Sequence, residues 1–299
     1  MWALDKLKRQ RRKRFGIQGL WTAATNANVG GFFTAKLYQG PLKNLCVPGL
    51  NCYSCPGALG SCPIGAMQAV ASSPSYAVSV LVLGFLMAVG ALLGRLVCGF
   101  LCPFGWLQDL LHRIPSKKFS TRRLRPLTWL KYGILVVFVL VLPNLAVNTL
   151  GMGNPTFCKY ICPQGVLQGA LPLAAADKFV RASLGALFQW KFGILLAVVV
   201  LAVVLYRPFC KYICPLGAIY ALFNRFSLYR LGFSEEKCIH CGRCAAVCKM
   251  DCDPTRNANS PECIRCGECV AVCPAEAITK PGIGAGIRPR VEPYKGVEL

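Results

Sequence analysis

The chain has 299 residues, 55% of them hydrophobic, with 34 Lys and Arg against 12 Asp and Glu, a formal charge of +22. Nineteen cysteines beside long apolar runs exclude the small secreted disulfide scaffold, in which cross-links replace a core that the chain is too short to build. The positive charge would suit nucleic acid. The basic residues, however, cluster beside apolar segments and the aromatics lie inside those segments, so no nucleic-acid partner is expected.

Residues 1–14 form a basic arm, charged from Lys6 to Arg14. A moderately apolar stretch from Phe15 to Leu37, interrupted by Asn26 and Asn28, is expected to be a first membrane helix. The pair resembles a signal peptide, with a faint twin-arginine look at Arg11 and Arg12. No small-residue cleavage site follows, and the stretch is long and polar for a signal core. Three clearer spans are expected near Tyr76–Val97, Leu127–Val147 and Ala186–Tyr206, close to the ~20 apolar residues that cross a bilayer. Every residue from Ile194 to Tyr206 is apolar or aromatic, which argues against a half-buried helix of a soluble core.

Lys and Arg crowd the arm and the loop after the second span, at Arg113, Lys117, Lys118, Arg122, Arg123 and Arg125. The positive-inside rule then puts the arm, that loop and the C-terminal part in the cytoplasm. The loops Gly40–Ser75 and Gly151–Gly185 face outward. Inside them Ile64–Val70 and Val166–Ala176 are too short to span, and read as interfacial or re-entrant helices.

From residue 233 to 280 charge and cysteine rise and long apolar runs stop. Residues 281–299 form a Gly/Pro-rich tail, expected to be poorly ordered. The expected fold is an α-helical membrane protein of about four transmembrane helices, N-in and C-in, over residues 15–232. A C-terminal α+β two-cluster ferredoxin-like domain follows.

The ferredoxin reading rests on spacing. Cys238-x-x-Cys241-x-x-Cys244-x-x-x-Cys248 recurs as Cys263-x-x-Cys266-x-x-Cys269-x-x-x-Cys273-Pro274. In the bacterial two-cluster signature the fourth cysteine of each run ligates the other cluster. Cys238, Cys241, Cys244 and Cys273 are therefore expected to hold one [4Fe–4S] cluster, and Cys263, Cys266, Cys269 and Cys248 a second. A lone C-x-x-C also suits zinc, but two complete runs in tandem favour clusters. Cys248 is followed by Lys249 where Cys273 is followed by Pro274, and Cys252 lies four residues on, so Cys252 stays open as a substitute ligand. A radical-SAM site needs a third cysteine that Cys248 and Cys252 lack. His240 reads as a loop residue at a cluster edge, and His112 as part of a solvated basic edge.

Three copies of Cys-x-x-x-Cys-Pro follow apolar runs, at Cys98/Cys102, Cys158/Cys162 and Cys210/Cys214. Each places two thiols one helical turn apart, and the proline helps turn the chain. One motif gives two ligands where a cubane needs four. The expected topology puts Cys98, Cys102, Cys210 and Cys214 together beneath the ferredoxin domain. It leaves Cys158 and Cys162 on the opposite face, where Cys52, Cys55 and Cys62 are the candidate partners, with Cys46 open. A structural disulfide or zinc is the alternative in that loop. One or two membrane-site clusters are thus expected beyond the two ferredoxin clusters.

The tandem of spans, Cys-x-x-x-Cys-Pro motifs and a two-cluster ferredoxin resembles the NapH/MauN-type membrane iron–sulfur proteins over about Tyr76 to Thr279. It is similar also to the membrane and ferredoxin parts of NosR. The resemblance implies a four-span protein of the prokaryotic cytoplasmic membrane that passes electrons between the quinol pool or a related donor and periplasmic reductases. By position, Cys98/Cys102 and Cys210/Cys214 match the family's cytoplasmic-side motifs. Cys158/Cys162 and the Cys46–Cys62 loop depart from the simple NapH pattern and suggest a second site.

The chain shows no catalytic triad, phosphate loop or paired acid/base carboxylates, so an electron-transfer subunit is expected rather than a complete enzyme. The leading expectation is a relay between the cytoplasmic ferredoxin clusters and an extracytoplasmic partner, with the bilayer and redox proteins as partners. One alternative is a quinol dehydrogenase component, with Gln18, Asn26 and Asn28 as candidate quinone contacts. The other is a non-redox metal-binding assembly or regulatory protein.

Overall fold

A computed structural model of the chain describes residues 2–71, 76–145 and 154–283. Trp2–Thr25 is one continuous helix that takes in the basic arm. It stops where the Asn26 amide turns back on Thr22 O at 2.9 Å and the Asn28 amide is drawn to Pro56 O at 2.7 Å. The expected helix from Phe15 to Leu37 is therefore not formed. From Phe15 to Thr25 the helix rises roughly 16 Å, about half of the ~30 Å hydrocarbon layer.

Three further long helices follow. Tyr76–Leu93 ends at Gly94. Arg122–Leu145 passes through 3-10, α and π turns, and Ala186–Val204 is regular α-helix. With Trp2–Thr25 they alternate in direction between two ends of the molecule. At one end Gln10 donates to Cys266 O (2.7 Å), the Arg95 N–H donates to Asn224 Oδ1 (3.1 Å), and Ser116 donates to Val203 O (3.1 Å). At the other end the Leu59 N–H donates to Thr25 O (3.0 Å) and Trp190 donates to Tyr160 O (3.1 Å).

Arg122–Leu145 and Ala186–Val204 are long and apolar enough to cross a bilayer; Val80–Leu93 and Gly165–Ala176 are shorter apolar helices. Only 28% and 17% of the most apolar windows of the two long helices are buried, the reverse of a soluble core helix. Leu81, Val137, Leu196 and Val200 stand exposed on this surface.

The short apolar pieces are helices too, Pro63–Ala71 and Gly165–Ala176. Two more, Pro103–Leu111 and Pro215–Phe223, start at the motif cysteines Cys102 and Cys214. Both run back to the ferredoxin end: His112 reaches Ala202 O, and Phe223 packs against Gly90. The motif cysteines therefore sit inside the helical bundle rather than at its rim.

The C-terminal domain pairs strands Tyr229–Phe233 and Ile278–Ile283 antiparallel, with helices Arg243–Val247 and Glu268–Val272 between them. Its sheet thus reaches beyond the expected 233–280. The tail from residue 284, and Val147 at the end of the expected second long span, lie outside the described residues. Buried Arg265 donates to Leu93 O (2.9 Å), Asn224 O (2.7 Å) and Ser227 Oγ (2.6 Å). The Asn224 amide donates to Ser260 O and Cys263 O. These bonds seat the domain on the ends of the helices.

Candidate metal centres

The two halves of the ferredoxin domain repeat one backbone. His240 and Arg265 both have φ near +50° (50° and 53°), and Gly242 and Gly267 follow at +70° and +76°. This turns Cys238, Cys241 and Cys244 inward on one side, where Cys273 joins them around one cavity. Cys263, Cys266 and Cys269 line a second cavity, and each faces Cys248. Cys252 is buried beside Cys248 in the wall of this second cavity, a fifth thiol at a four-ligand site. His240 lines the first cavity but is itself exposed. His112 packs edge-on to Tyr206, which lines the second cavity.

Burial, and then the neighbouring Cys266 and Cys248, pushes the Cys263 thiol up to about 12. Burial and Glu268 push Cys266 up to about 11. Such thiols give up their protons only to a cation, as metal ligation requires. Among the described residues no three Cys, His, Asp or Glu side chains close on a single point. Four thiols ringing a space are the donor set of a [4Fe–4S] cubane, and His240 and Glu268 each stand in the wall of one cavity beside them.

A third set lies directly beneath. Cys98, Cys102, Cys210 and Cys214 face one another, all buried. Cys102 and Cys214 cap their short helices, accepting from the Gly105 and Gly217 N–H groups at 3.4 Å each. Helix N-termini favour a thiolate there. Arg95 and Arg207, each three residues before a motif, cross over: Arg95 donates to Cys210 O (3.0 Å) and Arg207 to Cys98 O. Arg207 is paired with Asp109 at 2.6 Å, and Arg95 with Glu262 at 2.6 Å. This proximal site meets the ferredoxin domain at Gly99, where a Cβ would strike Ile264 O, between the ligands Cys263 and Cys266.

The fourth set is Cys52, Cys62, Cys158 and Cys162. Gln68 donates to Cys158 Sγ (3.3 Å) and accepts from the Phe157 N–H (2.9 Å). Lys191 donates to Cys158 O (3.0 Å), where the proximal site uses an arginine. Cys55, expected here, turns away to Asn26 Oδ1 (3.7 Å), because its Cys-Pro-Gly forms a turn instead of opening a helix. Cys46 is taken up in a bridge with Ser61.

The expectation that the two motif sites sit on opposite faces is corrected in one respect. They are neighbours: Gly49 abuts Leu101 O and Cys102 Cα, and Tyr220 faces Cys62 together with Cys98, Cys102 and Cys214. The short helices and the Cys46–Cys62 loop fold inward, so both sites lie inside the bundle.

The sequence carries a signal for this set beyond the Cys-x-x-x-Cys spacing. Cys62, Cys102 and Cys162 each begin Cys-Pro-x-Gly-x-x-Gln, and Cys214 begins Cys-Pro-x-Gly-x-x-Tyr. Cys55 does not. The glutamines do equivalent work. Gln108 bonds Cys210 Sγ (3.1 Å) and the Phe209 N–H (3.2 Å), as Gln68 does at Cys158 and Phe157, and Gln168 accepts from the Cys52 N–H (3.0 Å).

Three segments, 76–122, 133–178 and 187–234, match a 4Fe-4S binding domain family, and each contains one Cys-x-x-x-Cys-Pro. Residues 259–279 match a second 4Fe-4S binding domain family. The chain is similar to the methylamine utilization ferredoxin-type protein MauN of Paracoccus denitrificans, 28% identical over 182 residues, 59% of this chain and 55% of MauN. It is similar to the putative electron transport protein YccM of Escherichia coli, 26% over 183 residues, 58% and 46%. The regulatory protein NosR of Pseudomonas aeruginosa is 29% identical over 161 residues, 52% of this chain and 20% of NosR. The match thus spans about half the length of MauN and YccM. No solved structure matches. The triple 4Fe-4S repeat, the ferredoxin motif and these relatives make the chain a MauN/NapH-like 4Fe-4S protein.

Proposed function

We propose that the protein is a membrane-bound multi-cluster electron-transfer protein of a prokaryotic cytoplasmic membrane. It relays electrons between a cytoplasmic-side ferredoxin domain and an extracytoplasmic donor or acceptor. The observation that carries this reading is the sequence of contacts between four four-thiol sets, the two ferredoxin sets meeting where Cys244 and Cys269 pack in one buried cluster. The ferredoxin cavity that includes Cys263 adjoins the proximal site through Ile264 and Gly99, and the proximal site adjoins the distal one through Cys102 and Gly49. The clusters supply one-electron chemistry when bound. The protein's part is to bury the thiols, exclude water and hold neighbouring sets in contact.

The exposed apolar sides of Arg122–Leu145 and Ala186–Val204 support membrane insertion. The basic arm and Arg113–Arg125 both lie at the ferredoxin end, which supports the cytoplasmic orientation of that end. Tyr76–Leu93 and the Trp2–Thr25 helix would complete a four-helix domain. The test is vectorial electron transfer in sealed proteoliposomes. Reductant supplied on the ferredoxin side should bleach a membrane-impermeant oxidant on the other side, and Cys62→Ser should abolish this. Equal transfer in Cys62→Ser, or none in the parent protein, would reject the relay.

A second reading, oxidation of quinol, is favoured by Gln18. Its amide is 1% exposed and neither of its polar atoms has a protein partner, nor does the Trp106 indole N–H, whose ring lies against Gly19. Asn26 and Asn28 are instead occupied by Thr22 and Pro56. Quinol-dependent cluster reduction that is lost in Gln18→Leu would support this reading; no reduction by quinol in the parent protein would count against it.

A further inference from the structure

We propose that the Pro48–Cys52 segment is the bridge that couples the proximal and distal sites, and that Tyr220 is the residue that positions it. The inference rests on the relay reading above. The segment touches both sites. Gly49 lies so close to Leu101 O and Cys102 Cα that any side chain would collide with backbone. The Leu50 backbone lies beside the Cys102 thiol. Two residues later Cys52 supplies a thiol to the distal set, and its own N–H is fixed by Gln168 Oε1 at 3.0 Å. From one site to the other there is thus one close backbone contact, Gly49 on Leu101 and Cys102, and then covalent backbone, with no solvent gap. Leu50 and Asn51 are 3% and 0% exposed.

Tyr220 is the exception that marks the bridge. At the equivalent position of the other three Cys-Pro-x-Gly motifs stands a glutamine that ties its own four-thiol set together. Tyr220 instead leaves its set and donates to Pro48 O at 2.9 Å, at the head of the segment. Its side chain is fully buried, and it faces thiols of both sites, Cys62 on one side and Cys98, Cys102 and Cys214 on the other. Removing the hydroxyl frees Pro48; adding a methyl at Gly49 pushes the segment off Cys102. Hydrogen bonds to cluster sulfurs set cluster potentials, so either change should register at the proximal site as well as in transfer between sites.

The test uses full-length, anaerobically purified protein carrying Tyr220→Phe or Gly49→Ala, with Tyr53→Phe, an exposed tyrosine, as control. Iron content and EPR establish cluster loading, and Cys102→Ser and Cys62→Ser assign the two sites' signals. In the loaded proteins the proximal-site potential and the rate of distal-site reduction from the ferredoxin side are measured. Amide exchange of residues 49–52 is followed in the same loaded proteins. The proposal expects Tyr220→Phe and Gly49→Ala to retain the clusters, shift the proximal potential, slow distal reduction and lose amide protection at 49–52. Tyr53→Phe should do none of these. Distal reduction at the parent rate in both variants would overturn it, even with the relay intact. A parent protein without a distal cluster would instead remove the relay reading itself, and this proposal with it.

Discussion

Arg95 and Arg207 grip the proximal site from opposite sides, each donating to the carbonyl of the first cysteine in the other's motif. Both guanidinium groups are 0% exposed, and each is paired with a carboxylate, Arg95 with Glu262, which Lys131 shares, and Arg207 with Asp109, which Arg14 shares. The two repeats are thereby locked in register around their four thiols. Pro155 takes the equivalent place before Cys158/Cys162, and there Lys191 donates to the Cys158 carbonyl instead.

Removing one partner of a buried ion pair leaves an uncompensated charge and costs about 3–5 kcal/mol. Arg207→Met is therefore expected to leave Asp109 with only its longer Arg14 contact (3.1 Å) and to lose the proximal cluster while the ferredoxin clusters persist. Lysine cannot reproduce the two-pronged contact to Asp109 and Cys98 O, so Arg207→Lys should rescue only in part. Iron content and EPR of the purified variants check both outcomes.

The inward fold of the Cys46–Cys62 loop separates cysteines that look alike in sequence. Cys62→Ser and Cys52→Ser should each lose the distal cluster. Cys55→Ser should keep it, because that thiol meets Asn26 rather than the set. A Cys55→Ser protein with one cluster fewer than the parent would contradict this assignment.

Cys248 and Cys252 make a second such comparison. Cys263, Cys266 and Cys269 all face Cys248. Cys248→Ser is expected to lose the inner ferredoxin cluster, and Cys252→Ser to retain it with its EPR signal unchanged. The reverse result would make Cys252 the ligand.

Asp251 fastens the basic loop to the ferredoxin domain, accepting from Ser120 Oγ (2.9 Å), the Thr121 N–H (3.1 Å) and Lys211 Nζ (3.0 Å). Burial alone would raise its carboxyl, but the bonds from Thr121 and Lys211 outweigh burial and hold it below the usual carboxylate range. A lowered folded-state value stabilises above the unfolded value of about 4, and this stabilisation is lost as pH falls through the folded value. Amide protection at 120–122 should therefore be flat from about pH 8 to about pH 5 and decline only in acid. Asp251→Asn should lower it already at neutral pH; unchanged protection would show that the carboxylate is not the fastener.

Much of this was legible in the sequence because cysteine spacing is a local property. The ferredoxin runs and the pairing of Cys98/Cys102 with Cys210/Cys214 follow from ligand counting and chain direction. The distal set was harder. Cys52 and Cys62 are separated by a turn that inserts Cys55, so the pair does not show the Cys-x-x-x-Cys spacing, and only the Gln68 that follows marks Cys62. The length of the first helix is not legible in hydropathy because a basic arm continues a helix when a domain covers its charges, as Glu268 covers Arg11. The nearness of the two inner sites depends on helices that reverse at proline, a tertiary event that hydropathy does not record.

The central claim is four clusters in contact, and the most direct measurement is iron and acid-labile sulfide per chain with parallel EPR on anaerobically purified protein. The account predicts about sixteen of each, four per cluster, with two signals surviving removal of the ferredoxin ligands and two surviving removal of Cys102 and Cys62 together. About eight of each, all accounted for by the ferredoxin signals, would contradict it.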